Sequence, residues 1–363
     1  MMKKYLKKIV EKIGRFFKYK KICATHFKSI KRMRAGGAYK SLTPSQIKEV
    51  QNFYLKYWGE KISLKVHEYF YYLNDEFSPR YMPTYIYYGK IIPKLNNHRF
   101  GAIYSDKSMA EKLLGNRIKQ PKTYVKNTNG IYYIGENVVT KEEALSACMN
   151  LGDVVIKHTI DSSQGKSVSR FSCKEGIVKG NNCPDTIEQL FDTYKSNFII
   201  QAAIQQHSEM SRLNPTSLNT IRVMTYWSKN GVVVLYAVVR MGRMGSVVDN
   251  ASAGGIYCGV KEDGTLKDKA YTLTPYSVHT KTDTGVVLKD FKIPMYNVLE
   301  KKAIELHQQL PYSKFIGWDL SINKDSEIEL VEINANCPGL FQGATGPAFG
   351  DYTEEILEFC KDC

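Results

Sequence analysis

The sequence predicts an α+β protein of two lobes, preceded by a mostly helical N-terminal region, and three observations carry that prediction. Residues 37–120 show helical patterning interrupted by prolines, residues 121–201 alternate short strands with helices, and residues 202–363 carry long β-patterned runs around one strong helix. At 363 residues, 43% apolar and 24% charged, the chain has the composition of a globular protein with more than one packed unit rather than a disordered one.

The first segment, residues 1–36, stands apart by charge. The formal net charge is +15, and residues 1–35 hold thirteen Lys or Arg against Glu11 alone. The basic signal therefore belongs to this segment and says little about what the main body binds, which argues against a nucleic-acid protein. Tyr5, Leu6, Ile9, Val10, Ile13, Phe16 and Phe17 recur at three- and four-residue spacing, the pattern of a basic amphipathic helix over residues 1–21. Such a helix either docks on its own domain or lies on an anionic membrane surface. No run of eighteen apolar residues exists and lysines interrupt every apolar stretch near the N-terminus. The expectation is a cytoplasmic protein, peripheral at most at the inner face of a membrane.

Gly36-Gly37 closes the basic segment, and Ser41-Leu42-Thr43-Pro44 marks the start of a helical, tyrosine-rich stretch over residues 43–75. Pro79, Pro83 and Pro93 break the region after it, and helix resumes near Ser105-Asp106-Lys107 and runs through Leu114. The first lobe is expected to place strands at Thr123–Lys126, Ile131–Gly135, Val154–Lys157, Ser167–Ser172 and Phe198–Gln201, with helices from Thr140 and near Asp185–Tyr194. The second has strands at Asn219–Trp227 and Val232–Met241, a helix at Tyr296–Leu310, two strands at Phe315–Ile322 and Glu327–Asn334, and a last helix near Tyr352–Phe359. Eight cysteines show no framework spacing and read as reduced thiols; Cys360 and Cys363 form a C-x-x-C with no second pair nearby.

The late strand pair carries the clearest chemistry. Asn323, Lys324, Asp325 and Ser326 are turn formers, so the flanking runs form a hairpin with a loop of about four residues. If Ile322 faces Glu327, Asp319 lies opposite Leu330 with Glu332 diagonal to it, and Asn334, Ile328 and Leu330 share that face. Two neighbouring carboxylates and an amide make a hard-oxygen set suited to magnesium, or else a solvent-facing strand with scattered acids. A register change of one residue would separate Asp319 from Glu332.

A second constellation precedes it. Val154-Val155-Ile156 leads into Lys157, followed by a flexible loop containing Ser163, Gln164, Gly165 and Lys166, whose backbone N–H groups suit a phosphate. The Gly165-Lys166-Ser167 tripeptide lacks the earlier glycine and following helix of a P-loop, and the loop alone reads equally as a hairpin connection. Arg222, Arg240 and Arg243 are either further phosphate cations or ion pairs with packed stems.

In order along the chain, these features resemble the ATP-grasp superfamily over roughly residues 105–345, which implies the ATP-grasp fold, two α+β lobes gripping ATP between them. Asp106-Lys107-Ser108-Met109-Ala110-Glu111-Lys112 resembles the helix start of D-alanine–D-alanine ligases, which implies a phosphate contact for Lys112. The resemblance implies that Lys157 and Ser163 to Lys166 hold phosphate, and that Gln201, Ala203 and Ile204 form the adenine hinge. Gln201 replaces an acidic hinge residue, and Gln205, His207 or Glu209 are its substitutes. Asp319, Glu332 and Asn334 match the magnesium ligands. Ser217–Arg222 and Asp249-Asn250…Gly254-Gly255 look most like the sugar-transfer-associated group, which adds Asn250 to Arg222, Arg240 and Arg243 as catalytic candidates. Gly317 stands where the D-alanine ligases place an arginine, whose charge is then expected from one of these three.

The resemblance implies ATP and Mg2+ as cofactors and small-molecule or sugar-linked carboxylate and amine substrates. The implied reaction is amide formation through an acyl phosphate in surface or capsular polysaccharide synthesis. The alternatives are phosphotransfer to a hydroxyl or a non-catalytic nucleotide-binding partner of a glycosyltransferase.

Overall fold

The computed structural model describes residues 20–25, 27–28, 30–32, 34–160, 168–249, 254–272 and 277–361. The predicted helix over residues 1–21 lies almost wholly outside them, as do Ser163 to Lys166, Asn250 and Cys363.

Two seven-stranded antiparallel sheets form the body. The first has the order β3-β2-β1-β7-β4-β5-β6, from β1 (Thr123–Thr128), β2 (Ile131–Ile134), β3 (Asn137–Val139), β4 (Asn150–His158), β5 (Val168–Lys174), β6 (Ile177–Gly180) and β7 (Phe198–Ala202). Helix Ile187–Tyr194, capped by Thr186, lays Leu190, Phe191 and Tyr194 on Val154, Ile156, Phe198 and Ile200. Because strand residues alternate, that packing turns Val155 and Lys157 to the other face of β4.

The second sheet has the order β12-β11-β10-β9-β8-β13-β14. Its strands are β8 (Thr220–Ser228), β9 (Gly231–Met241), β10 (Ile256–Val260), β11 (Leu266–Tyr271), β12 (Val278–His279), β13 (Phe315–Ile322) and β14 (Ile328–Asn334). One face buries Ile221, Val223, Val239, Trp318 and Leu320 against Leu299, Ala303 and Leu306 of helix Tyr296–His307. At the far end of the other face, Met224, Tyr226 and Phe315 pack against Tyr54, Tyr87 and Ile91 of the N-terminal region. This leaves the near end of that face for charged groups.

The N-terminal region is helical, as expected, with a correction in detail. Helix Pro44–Tyr57 starts in a capping box of Thr43 and Gln46, and helix Lys65–Asn74 ends at Asp75 in the left-handed conformation. Pro79 and Pro83 lie in the break that separates this helix from the next, as expected, but Pro93 interrupts nothing. Thr84–Ile86, a π-turn at Tyr87–Ile91 and Ile92–Leu95 form one continuous helix. The Ile92 N–H bonds the Tyr87 carbonyl five residues back, re-phasing the ladder just before Pro93, which lacks an N–H to contribute.

Two buried amides fasten this region to the second sheet. Asn96 Nδ2 donates to the carbonyls of Phe315 (2.7 Å) and Ala335 (2.6 Å), clamping the ends of β13 and β14. Gln342 exchanges two hydrogen bonds with the Met82 backbone, at 2.8 and 2.9 Å. Among the described residues the cysteines are free, and no helix is long and apolar enough to cross a membrane.

Candidate functional site

The turn closing the β13–β14 hairpin has three residues, Lys324 to Ser326, rather than four. The Asn323 N–H donates to Glu327 and Ser326 takes positive φ, so Ile322 faces Ile328 and not Glu327. Continued regularly, that register would oppose Asp319 to Val331 and turn Glu332 to the far side. A bulge between Asp319 and Leu320 intervenes: Leu320 faces Leu330, yet Asp319 faces Glu332. Val331 is the extra residue, and it returns Glu332 to the face of Asp319. Ile328 and Leu330 lie on the opposite, apolar face and pack into the core with Ile333.

Register extends this pair into a row across four strands. Arg222 of β8 faces Asp319, and Thr220 faces Arg240 of β9. Arg222 grips Asp319 with two nitrogens, Nε on Oδ1 and Nη2 on Oδ2 at 2.7 Å. Arg240 Nη1 reaches the same Oδ2 at 2.8 Å, while its Nη2 holds Asp249 Oδ1 at 2.8 Å. The other oxygen of Asp249 accepts from the Thr220 hydroxyl and N–H. Asp319 is 2% exposed. Burial opposes its ionisation, but Arg222 and Arg240 outweigh that cost and hold the carboxyl at about 2. For Asp249, burial prevails over Arg240 and the carboxyl is pushed above its ordinary range. The charges alternate along the row, Asp249, Arg240, Asp319, Arg222, so each buried ion has a paired neighbour.

Glu332 meets the first sheet and the N-terminal region. Lys107 Nζ donates to Glu332 Oε1 at 2.9 Å, and the Lys107 N–H donates to the Thr159 carbonyl at 3.1 Å just beyond β4. Lys157 enters the same cleft from β4, beside Tyr104, Gln201, Val331 and Glu332. Burial, and then the neighbouring Lys107, lower its ammonium to about 8 against the pull of Glu332 and Asp319. Among the described residues no carboxylate lies within ion-pairing distance of Lys157, which leaves it the surplus cation of the cleft. The cleft itself has only about 10 Å3 of free space. It adjoins a cavity of about 500 Å3 bordered by Lys107, Lys119, Lys122, Lys126 and Gln201, a volume suited to a nucleotide-sized anion.

The donors fit a hard divalent cation. Asp319 keeps an oxygen lone pair beyond those taken by the arginines, Glu332 stands opposite, and Asn334 donates Nδ2 to Asp319 Oδ2 at 3.4 Å and carries Oδ1 as its acceptor. Among the described residues no three His, Cys, Asp or Glu side chains cluster, so further oxygens would come from water or a bound phosphate, as is usual for magnesium.

A model of the sugar-transfer associated ATP-grasp family matches residues 89–354, well over half the chain and the whole of this site. The chain belongs to that family. No curated protein matches the sequence. Among solved structures the ATP-grasp protein resembles the VanG D-Ala:D-Ser ligase of Enterococcus faecalis at 13% identity and a TM-score of 0.43, covering 71% of this chain and 61% of that one. It also resembles the D-alanine–D-alanine ligase of Bacillus anthracis solved with ATP, at 14% identity, a TM-score of 0.41 and coverages of 74% and 68%. A third is a RiPP-associated ATP-grasp ligase of Chryseobacterium gregarium, solved with ADP and a leader and core peptide, at 15% identity, a TM-score of 0.38 and coverages of 74% and 62%. The chain thus spans about six tenths of the first of these relatives.

The ATP-grasp protein brings Arg222, Arg240, Asp319, Glu332 and Asn334 together on one sheet face, with Lys157 and Gln201 across the cleft. Gln201 spends its amide on Thr123 Oγ1 at 3.2 Å and the Pro121 carbonyl at 3.4 Å. Ala203 and Ile204 border a hollow with Asn323–Asp325 that shares Lys119–Lys122 with the larger cavity, and the Ala203 N–H is used by the Asp153 carbonyl at 2.9 Å.

Three candidates lie apart. Lys112 is exposed on helix Ala110–Leu114. Glu209 pairs with Arg212 at 2.6 Å, and Arg243 pairs with Asp283 at 2.7 Å beside His279. Sequence reasoning does not single out Lys107 or Asp249 as site residues. The signal for Lys107 is its place directly after Asp106, whose carboxylate caps the Ser108 N–H at 2.9 Å and so fixes where the lysine leaves the chain.

Proposed function

We propose that this ATP-grasp protein is an ATP- and magnesium-dependent carboxylate–amine ligase acting on sugar-linked or small-molecule substrates in surface or capsular polysaccharide synthesis. The observation that carries the reading is the row Asp249, Arg240, Asp319, Arg222, which ends at Glu332 with Lys107 and Lys157 across the cleft. Such a site neutralises and orients anions. A reaction that activates a carboxylate by phosphorylation needs charge stabilisation and alignment rather than a nucleophile from the protein.

In this reading Asp319, Glu332 and Asn334 would hold the metal, which would supply positive charge to offset that of the phosphate. Lys107 from the N-terminal region and Lys157 from the first lobe meet the polyphosphate. Arg222 fixes Asp319 through two parallel bonds, and Arg240 ties the same carboxylate to Asp249, so that the buried row holds Asp319 in place. The balance is carboxylate plus amine plus ATP giving amide, ADP and phosphate. The 89–354 family match supports the sugar connection.

The test is purified full chain with magnesium and ATP, screened against amino acids and uronic-acid sugars with ADP as readout. ADP release that needs both an amine and a carboxylate is expected. Release with a hydroxyl acceptor alone would replace ligation by phosphotransfer, and ATP binding without turnover on any pooled pair would leave a nucleotide-binding partner protein.

A further inference from the structure

Residues 20–35 contain Lys20, Lys21, Lys28, Lys31, Arg32 and Arg34 and no acid. Their described members are helical up to Ala35, and Ile30, 3% exposed, seals the helix against Val66 and Tyr81 with Phe70 alongside. That contact decides which side looks outward. Lys28, Lys31 and Arg32 are exposed there, joined by the exposed Lys65 from the next helix. Arg34 is held inward by Glu68 and by the face of Tyr39 at 4.4 Å.

The outward side is not merely a solvated basic face. Phe27 is 38% exposed, its ring 5.5 Å from Tyr85. With Lys28, Lys31, Arg34 and Lys65 it borders an open hollow of about 420 Å3. The phosphates of a nucleic-acid duplex would engage the cations but would leave Phe27 in water. An anionic bilayer uses both, because headgroups take the ammonium and guanidinium groups while an aromatic ring settles at the acyl boundary. The preceding sequence has the same character, with Tyr5, Leu6, Ile9, Val10, Ile13, Phe16 and Phe17 among seven cations and one acid in residues 1–19.

We propose that the surface formed by Phe27, Lys28, Lys31, Arg32 and Lys65 docks the protein on anionic phospholipid headgroups. The docking is independent of the ligase reading, since it involves none of the residues of the nucleotide cleft. It would hold the enzyme at a membrane face rather than regulate its chemistry.

The experiment is co-sedimentation of the full chain with phosphatidylcholine vesicles, with and without about one third phosphatidylglycerol, at low and high salt. Retention is expected only on the anionic vesicles and should decline with salt as the charges are screened. Each basic residue near such a surface contributes about fivefold in partitioning, so the triple variant Lys28→Gln, Lys31→Gln, Arg32→Gln should lose about a hundredfold. Phe27→Ser keeps every charge, and it should weaken retention while preserving the salt dependence. Circular dichroism and a thermal melt establish that both variants are folded. Three results would overturn the proposal: equal retention on neutral vesicles, full retention of the triple variant, or binding to duplex DNA without any retention by vesicles.

Discussion

A Cβ on Gly317 would stand 3.0 Å from Cδ of Arg222, so the space beside Asp319 that a β13 side chain would fill is taken instead by an arginine reaching over from β8. The site cation is thus delivered from the neighbouring strand. The same Cβ would lie 3.0 Å from the Pro338 carbonyl and 3.1 Å from Met224 Sδ, and the carbonyl, being backbone, yields least. Gly317→Ala should therefore lower stability by about 1–3 kcal/mol as overpacking does. It should also reduce magnesium-nucleotide binding by displacing Arg222. Urea denaturation and calorimetric titration with ADP check the two effects separately.

Asp319 is the shared anion of two buried guanidinium groups, and its removal takes the only paired carboxylate among the described residues from Arg222 and one of two from Arg240, which keeps Asp249. Asp319→Asn should cost about 3–5 kcal/mol at neutral pH, the range for breaking a buried pair from one side. Its carboxyl is held at about 2, below the ordinary 3.8, so the native state favours the ionised form. That contribution is complete above about pH 4 and is lost as the pH falls toward 2. Urea midpoints at neutral pH and between pH 5 and pH 3 should show a stability slope in the wild type that is weaker in the variant.

Much of the site is legible in the sequence because strand parity is strict: Asp319, Glu332 and Asn334 can meet only on one face, and Arg222 can reach them only from an adjacent strand. The register is not legible from the turn residues alone. The bulge at Val331 leaves a trace in the apolar positions of β14, since Ile328, Leu330 and Ile333 all enter the core and the last step is three residues rather than two. Such a step in a strand marks an inserted residue. Arg243 and Glu209 show the opposite limit. Each has the right charge and lies near the right segment, yet partners claim them: Glu209 pairs with Arg212 three residues on, a spacing the sequence does show, whereas Arg243 pairs with Asp283 forty residues on, which no spacing reveals.

The assignment of a phosphate lysine to Lys112 can be set directly against Lys107. Lys107 is tied to Glu332 at 2.9 Å in the cleft, whereas Lys112, five residues later on helix Ala110–Leu114, is exposed. Lys107→Met should weaken nucleotide binding by about tenfold or more, the cost of one charge-assisted contact. Lys112→Met should stay within about twofold, as surface substitutions do. Equal losses in fluorescent-nucleotide titrations of the two variants would return the role to Lys112.

Lys157 gives the site a pH dependence with a defined direction. Burial and the nearby Lys107 bring its ammonium down to about 8, so at neutral pH it is charged and above pH 8 it is increasingly neutral. A bound polyphosphate favours the charged form and raises that value, so nucleotide binding takes up a proton near pH 8. The dissociation constant should accordingly rise by up to about tenfold per unit above pH 8 until the bound-state value is reached. Without nucleotide the sign reverses. The charged ammonium is disfavoured in the fold, and stability increases as the pH rises from about 8 toward 10.5. Lys157→Met should remove both trends while leaving a weak, pH-independent affinity. Titration calorimetry in buffers of different ionisation enthalpy measures the proton uptake, and an uptake unchanged in the variant would assign the titration to another group.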